Sequence, residues 1–178
     1  MSEMKIRNQK IGTGHPVYII AEIGINHNGN IEEAFKLIDL AKETGCDAVK
    51  FQKRTPEIAV PKSQWDEPKQ TPWGRMNYID YKKRMEFDIN QYKEIDLYCK
   101  KNNITWFASC WDEVAVEEMA SINIECFKVA SATLTDQVTI NKMLSYEIPI
   151  IMSTGMSTIN QINQTMEIIG KKTIGLLH

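Results

Sequence analysis

The stretch IECFKVASA, residues 124–132, is the most informative about the fold, because it reads as a buried β-strand with a lysine in its centre. It begins with residues that favour β-strands and ends with small ones, yet Lys128 stands where a strand covered on both faces should stay apolar. Lysine is almost never fully buried without a partner. DAVKFQ, residues 47–52, carries Lys50 in an equivalent place. Two lysines near the ends of two short apolar strands therefore predict a shared anionic ligand.

On either side of this stretch, short apolar strands alternate with segments whose apolar residues recur at helical spacing. The predicted strands cover residues 17–23, 47–52, 104–109, 124–131, 148–152 and 173–178. The first predicted helix covers residues 31–43 and is capped by Asn30; the next three cover residues 88–101 (or 90–101), 112–120 and 136–146. The last predicted helix starts at Ser157 or Thr158, and its inward-facing residues are Ile159, Ile162, Met166 and Ile169. This alternation indicates βα units around a parallel sheet with right-handed crossovers.

Two segments stand outside the alternation. Residues 5–16 predict a small hairpin or an irregular lead-in. Residues 53–86 hold four prolines together with Trp65 and Trp73, and loops of that length are usually functional or disordered. We predict an excursion over one end of the domain, with the tryptophans packed in it and a short helix near residues 78–85.

Two parallel architectures fit this pattern: an open doubly wound sheet and a (β/α)8 barrel. Six strands in 178 residues suit the open sheet on length alone, because barrels run to about 250 residues. The chain ends within a strand, however, with no helix to cover it, and this favours an α/β TIM barrel of which about six βα units are present. We therefore expect residues 1–178 to form part of such a barrel, without its C-terminal strands.

Composition argues against several classes of function. The chain is 43% hydrophobic with a net charge of −2, which suits one globular core and gives no basic surface for nucleic acid. No apolar run approaches the roughly 20 residues of a membrane helix, and the first residues lack the core of a signal peptide. We expect a cytoplasmic protein that contacts no membrane. The four cysteines form no C-x-x-C pair and are expected to be reduced thiols.

Barrel enzymes place their active sites at the C-terminal ends of the strands. Nearly every predicted strand has polar residues at or just beyond that end: Glu22, Lys50 with Gln52, Ser109, Lys128 with Ser131, Ser153 with Thr154, and His178. Taken singly, a strand lysine can extend its ammonium group to the surface, and a serine is more often structural. Together they predict a phosphate site, because lysines and helix starts both attract anions. The strand position of Glu22 predicts its burial.

Four motifs, AEIGINHNGN, DAVKFQ, KVASA and PIIMSTGM, taken together in this order, resemble the sialic acid synthase family. The loop sequence TPWGRMNYIDYKKRMEF is also similar to members of that family, and the resemblance runs from about Lys10 to the last residue. It implies a (β/α)8 barrel transferase. Such an enzyme condenses phosphoenolpyruvate with the open-chain aldehyde of N-acetylmannosamine, or a related N-acylated amino sugar. The products are a nine-carbon 2-keto acid and phosphate.

The resemblance also implies residue roles. Lys50 and Lys128 resemble the lysines that hold phosphoenolpyruvate, and Ser131 and Ser153 resemble ligands of its phosphate. Fixed cationic and hydroxyl donors suit this substrate, because they stabilise the charge that develops during the reaction.

At the sugar end, Gln52 resembles a residue that touches the amino sugar, and Glu22 resembles the acidic residue near the metal and the reacting carbon. Ser109 stands where the family often has a threonine that contacts the substrate. Ala132 and Thr133 depart from the family, because many members carry Gly-Glu there. The missing carboxylate leaves the general base and the sugar open.

In the family, a divalent metal, typically manganese or magnesium, acts as a Lewis acid on the aldehyde. Its two histidine ligands come from strands after the sixth, so no metal ligand is assigned within residues 1–178. Relatives also carry a small C-terminal domain that covers the active site of the partner subunit, which implies a homodimer. We expect the full-length protein to be the enzyme and this chain alone to be inactive.

Two other interpretations stay open at this point. A class I aldolase would use Lys50 or Lys128 to form a Schiff base, as barrel lysines do when their pKa is lowered. A non-catalytic barrel fragment would associate with a partner or with a copy of itself through its unpaired strand edges. The ordered motifs favour the synthase over both.

Overall fold

The computed structural model describes residues 4–178, apart from the side chains of residues 171 and 174. Its strands are β1 (Met4–Ile6), β2 (Gln9–Ile11), β3 (Ile20–Gly24), β4 (Ala48–Lys53), β5 (Pro68–Thr71), β6 (Gly74–Asn77), β7 (Thr105–Cys110), β8 (Phe127–Val129), β9 (Ile150–Ser153) and β10 (Thr173–Leu177). Its α-helices are α1 (Ile31–Glu43), α2 (Pro56–Ala59), α3 (Tyr78–Met85), α4 (Ile89–Lys101), α5 (Glu113–Ser121), α6 (Gln137–Leu144) and α7 (Ile159–Ile169). Within this part of the chain, no helix has the length and apolar character that crossing a bilayer requires.

Six strands form one parallel sheet in the order β3-β4-β7-β8-β9-β10, which is also their order along the chain. A doubly wound sheet reverses its strand order at a switch point, and this sheet does not. The arrangement is that of a singly wound barrel. The predicted partial TIM barrel is therefore confirmed, and the doubly wound alternative is wrong. Strands β3 and β10 are the edges of the described sheet.

The two faces of the sheet carry separate apolar clusters, because side chains alternate along each strand. The larger cluster includes Val49 and Phe51 of β4 and the buried sides of the helices. The smaller cluster, on the concave face, consists of Ile6, Ala48, Phe107, Cys126 and Ile151. Ile6 belongs to the antiparallel β1–β2 pair, which confirms the predicted hairpin, and it closes the amino end of the concave face.

The predicted helix starts are confirmed for α1, α4, α5, α6 and α7, because each of these five helices begins after a side chain that accepts backbone N–H groups. These caps are Asn30, Asp88, Asp112, Asp136 and Thr158. The predicted inward face of α7 is wrong at one position, since Ile159 is 73% exposed. The buried stripe of that helix runs through Thr165 and Ile169, one turn apart, and Ile159 lies off it.

Two predicted strands begin three residues before the observed ones. The first begins at Ile20 rather than residue 17, because Val17 is exposed and precedes the ladder. The fourth is reduced to β8, since Ile124 and Cys126 are buried by packing against neighbours without pairing in the sheet.

The excursion is more regular than its sequence suggests. The predicted helix is confirmed as α3, and α2 and the antiparallel β5–β6 hairpin were not predicted. This hairpin has mostly exposed residues and no apolar alternation, so it leaves no periodic signal. Trp65 donates its indole N–H to the Val60 carbonyl at 3.0 Å, and the Arg84 guanidinium lies 4.3 Å from the ring centroid of Trp73.

Asp112 fastens this excursion to the barrel. Its buried carboxylate accepts hydrogen bonds from the Thr55 N–H at 2.5 Å, the Thr55 hydroxyl at 2.9 Å and the Ala115 N–H at 2.8 Å. One side chain therefore caps α5 and also holds the segment that follows β4. Asp88 is the corresponding cap of α4, but it is exposed and binds only its own helix.

Asp112→Ala should lower the free energy of unfolding by about 2–4 kcal/mol, because a lost cap costs about 1 kcal/mol and buried donors left unpaired cost a further 1–3 kcal/mol. Asp88→Ala is the matched control and should cost only about 1 kcal/mol. Urea unfolding measures both values. Equal losses in the two variants would contradict the anchoring role of Asp112.

Candidate active site

The carboxyl ends of the parallel strands surround two adjoining cavities on the concave side of the sheet. The deeper cavity, about 200 Å³, is lined from all six strands, with Ile20, Phe107, Ile151 and Leu177 as its apolar wall. The outer cavity, about 290 Å³, is lined by all seven predicted site residues: Glu22, Lys50, Gln52, Ser109, Lys128, Ser131 and Ser153. The residues chosen from the sequence therefore meet in one place.

Lys50 lies in the middle of β4 and is only 9% exposed. Parallel pairing sets it beside Glu22 of β3, and its Nζ lies 2.6 Å from Glu22 Oε2. Lys50 also donates a hydrogen bond to Ser109 Oγ at 3.1 Å. The predicted burial of Glu22 is wrong, because its side chain is 53% exposed. Its strand β3 is an edge of the described sheet, so no further strand covers it there.

Lys128 is the central residue of β8 and is 5% exposed. Its ammonium group donates hydrogen bonds to Ser153 Oγ at 2.5 Å and to the Val129 carbonyl at 2.7 Å. Burial, together with the positive charge of Lys50, lowers the pKa of Lys128 to about 8, and Glu22 opposes this shift. In residues 4–178, Lys128 forms no ion pair with a carboxylate.

The charges lining the two cavities do not balance. Among the described residues they are the ammonium groups of Lys50 and Lys128 and the single carboxylate of Glu22, which is paired with Lys50. A buried charge is destabilising unless it is paired. An anion bound between the two lysines would supply the missing negative charge. The geometry therefore indicates an anion site at the mouth of the barrel.

Serine hydroxyl groups line the cavity near Lys128, at the carboxyl ends of β8 and β9. Ser131 opens a 3-10 turn directly after β8, and Ser153 ends β9. The two loops are in contact, because a Cβ at Gly155 would lie 3.6 Å from Ser131 Oγ, an ordinary van der Waals distance. Thr154 binds the neighbouring strand β10 instead, since its hydroxyl donates to the Leu177 carbonyl at 3.0 Å. Thr133 is buried and donates to the Ala130 carbonyl at 3.1 Å.

Gln52 lies across the mouth, at the end of β4. Its amide oxygen accepts a hydrogen bond from the Arg54 guanidinium. The Arg54 guanidinium carbon lies 4.7 Å from the ring centroid of Trp111, which also lines the outer cavity. Sequence reasoning missed Arg54 and Trp111. The place of Arg54 in the sequence could have indicated it, because it follows Gln52 by two residues and so lies on the same side of an extended segment.

The described residues do not form a metal site. No group of three or more His, Cys, Asp or Glu residues close enough to hold a metal ion occurs in residues 4–178. His27 is buried, stacks on Phe87 at 3.9 Å between ring centroids, and accepts the Gly29 N–H through Nδ1. Burial lowers its pKa to about 4, so it is a neutral turn residue. The four cysteines form no disulfide bond among the described residues.

A larger cavity of about 610 Å³ lies at the opposite, amino end of the strands. Its charged side chains already have partners: Asp47 accepts from Gln9 Nε2 at 2.8 Å and from the Ile19 N–H at 2.7 Å, and Lys42 donates to the Asn103 carbonyl at 3.3 Å. It contains no buried charge without a partner among the described residues. The smaller cavities at the carboxyl ends are therefore the candidate active site.

A singly wound parallel sheet with charged and hydroxyl groups at its carboxyl ends is typical of TIM-barrel enzymes that bind an anionic substrate. The sequence profile of the NeuB family matches residues 37–178, and the chain belongs to that family. It is 36% identical over 167 residues to N-acetylneuraminate-9-phosphate synthase of Drosophila melanogaster, covering 91% of this chain and 45% of that protein. It is 30% identical over 167 residues to N,N'-diacetyllegionaminic acid synthase of Campylobacter jejuni, covering 90% and 50%.

A solved structure agrees with the sequence relatives. The N-acetylneuraminic acid synthetase of Leptospira borgpetersenii, in complex with citrate, superposes with a TM-score of 0.87 at 27% identity. The match covers 99% of this chain and 59% of that one. The chain spans about half the length of the curated relatives it matches. The predicted family is thereby confirmed.

The lowered pKa of Lys128 makes stability depend on pH. Between pH 8 and the ordinary lysine pKa of 10.5, the unfolded chain binds more protons than the folded one, so stability rises with pH. The free energy of unfolding of the wild type, minus that of Lys128→Met, should therefore increase by roughly 2–3 kcal/mol from pH 7 to pH 10.5. Urea unfolding at the two pH values measures it.

Lys83→Met is the control for this series. Lys83 is an exposed residue whose hydrogen bond to Glu57 raises its pKa, so the corresponding difference should not rise with pH. If the difference in free energy of unfolding between the wild type and Lys128→Met were the same at both pH values, Lys128 would have an ordinary pKa and its burial would not disfavour the charged form.

Proposed function

We propose that the full-length protein condenses phosphoenolpyruvate with the open-chain aldehyde of an N-acylated amino sugar, N-acetylmannosamine or a close relative. The products are a nine-carbon 2-keto acid of the sialic acid type and phosphate. The observation that carries this proposal is the buried pair Lys50 and Lys128 at the mouth of a NeuB-family barrel, where the one carboxylate of the cavity walls, Glu22, is paired with Lys50 and not with Lys128. The names of the relatives support an amino sugar in general, and the particular sugar is our proposal.

The cavity suits phosphoenolpyruvate, which carries a phosphate and a carboxylate on one small molecule. We assign the phosphate to Lys128, Ser131 and Ser153, because the Lys128 ammonium and the Ser153 hydroxyl are already 2.5 Å apart. We assign the carboxylate to Lys50 of β4 and Ser109 of β7, because Lys50 Nζ and Ser109 Oγ are 3.1 Å apart. These fixed donors need no reorganisation as charge develops during the reaction.

In the proposed reaction, C3 of phosphoenolpyruvate attacks the aldehyde carbon, and a new carbon–carbon bond forms. Water adds at C2 and loses a proton, and the aldehyde oxygen gains a proton to become a hydroxyl group. The bond between C2 and the bridging oxygen then breaks and releases phosphate. Glu22, half-exposed beside Lys50, is the carboxylate that we assign to proton transfer at the aldehyde. Gln52 faces the sugar.

The proposal includes a divalent metal, manganese or magnesium, that supplies Lewis-acid polarisation of the aldehyde in the full-length protein. Its ligands are assigned outside this chain, because the described residues form no metal site. We also propose that the full-length protein acts in the cytoplasm as a homodimer. The 178-residue chain represents the phosphoenolpyruvate-binding part of the barrel in this proposal.

The central test measures phosphate release from phosphoenolpyruvate by the full-length protein. Release should require an N-acylated amino sugar, and Lys50→Met and Lys128→Met should each lower kcat/KM by about 10²–10³-fold, as losses of a charge-stabilising donor do. Lys83→Met is the control, an exposed lysine paired with Glu57 away from the cavity, and should be unchanged. Wild-type rates in either cavity variant would overturn the proposal.

The chain of residues 1–178 alone should release no phosphate, because its described residues lack a metal site. Metal-dependent release by this chain would contradict that expectation. A class I aldolase is the second candidate, and the lowered pKa of Lys128 favours it, because a neutral amine can form a Schiff base. Trapping of pyruvate on the protein by borohydride, without phosphate release from phosphoenolpyruvate, would support the aldolase.

A further inference from the structure

We propose that Arg54 is a positioning residue that fixes the Gln52 side chain so that its amide N–H₂ group, and not its carbonyl oxygen, faces the amino sugar. This inference rests on the proposed function for the identity of the substrate. It goes beyond that function by assigning a role to a residue that does not itself line either cavity.

The first observation is the contact between Arg54 and Gln52. A guanidinium group donates hydrogen bonds and accepts none, so the atom of Gln52 that faces it must be the oxygen. The amide nitrogen of Gln52 then points the other way, toward Gly24. A Cβ placed on Gly24 would lie 3.4 Å from Gln52 Nε2 and 2.9 Å from Glu22 Oε1. The N–H₂ group of Gln52 and the Glu22 carboxylate therefore both lie next to Gly24, which has no side chain to occupy the space beside them.

The second observation is how firmly Arg54 itself is held. It is 7% exposed, and its Nε lies 2.8 Å from Glu86 Oε1. The other carboxylate oxygen of Glu86 accepts the Arg54 backbone N–H at 3.2 Å. Trp111 covers one face of the guanidinium at 4.7 Å from the ring centroid. A guanidinium group paired with Glu86 and covered by Trp111 can hold Gln52 in one orientation.

This orientation has a chemical consequence. A free glutamine side chain can present either a donor or an acceptor by rotating its amide. Held by Arg54, Gln52 presents donors beside the acceptor oxygens of Glu22. The matching substrate group is an acceptor oxygen, and the carbonyl oxygen of an N-acyl group is of this kind. Arg54 should thus affect binding of the sugar and leave binding of phosphoenolpyruvate unchanged.

A purely structural role for Arg54 must be separated from this one. Removing Arg54 alone leaves Glu86 buried without its partner, which typically destabilises a protein by about 3–5 kcal/mol. The double variant Arg54→Met/Glu86→Gln removes both charges together and keeps similar side-chain volumes. Glu86→Gln alone keeps the contact between Arg54 and Gln52.

The kinetic test uses the full-length protein. We expect the double variant to unfold at the same urea concentration as the wild type, within the error of the measurement. Its KM for the amino sugar should rise about tenfold, because the lost hydrogen bond involves a charged group. Its KM for phosphoenolpyruvate should stay within about twofold of the wild-type value. Glu86→Gln alone should raise the KM for the sugar less. A double variant with the wild-type KM for the sugar would overturn the proposal, and so would an equal rise in both KM values.

A second measurement needs no substrate. In the full-length protein labelled with ¹⁵N-glutamine, the Gln52 side-chain amide signal is assigned by its loss in Gln52→Glu. It should shift and narrow in the double variant, because the amide becomes mobile, and should stay in place in Lys83→Met. An unmoved signal in the double variant would refute the positioning role. If the wild type consumes no amino sugar, the proposed function fails, and this signal still decides whether Arg54 holds Gln52.

Discussion

The structure depends on two buried ammonium groups of which only one, that of Lys50, is paired with a carboxylate. Lys50 and Lys128 are both less than a tenth exposed, and the described cavity walls offer only Glu22 as a countercharge. Burial of the ammonium group and, after it, the like charge of Lys50 both disfavour the charged form of Lys128, so its pKa is lowered. A protein that needed only a stable core would place apolar side chains at these positions. A substrate with two anionic groups would offset the free-energy cost of burying these two positive charges.

The rest of the fold directs these charges toward one opening. The hairpin contributes Ile6 to an apolar floor with Phe107 and Ile151, so the lysines face the carboxyl end of the barrel. Parallel register places Glu22 beside Lys50 and Ser109 beside Lys128. Pairing in the sheet thus builds the site, and no long-range loop rearrangement is needed to assemble these groups.

The sequence predicts the sheet and the seven cavity residues because both follow from short-range rules. Short apolar runs mark the strands, and parallel strands bring their carboxyl ends to one edge, so the residues at those ends meet. What escapes prediction depends on context. The exposure of Glu22 follows from its place on an edge strand, and the role of Arg54 depends on Glu86, 32 residues away along the chain. The β5–β6 hairpin is polar throughout most of its length, so hydrophobic periodicity could not reveal it.

The most direct test of the account is a crystal structure of the full-length protein with phosphoenolpyruvate bound. We expect phosphate oxygens within hydrogen-bonding distance of Lys128 Nζ, Ser131 Oγ and Ser153 Oγ, with the carboxylate of the ligand on Lys50. Phosphoenolpyruvate bound at the amino end of the strands would contradict it. So would a Lys128 ammonium already paired with a carboxylate of the protein, because no uncompensated charge would then remain for the ligand to neutralise.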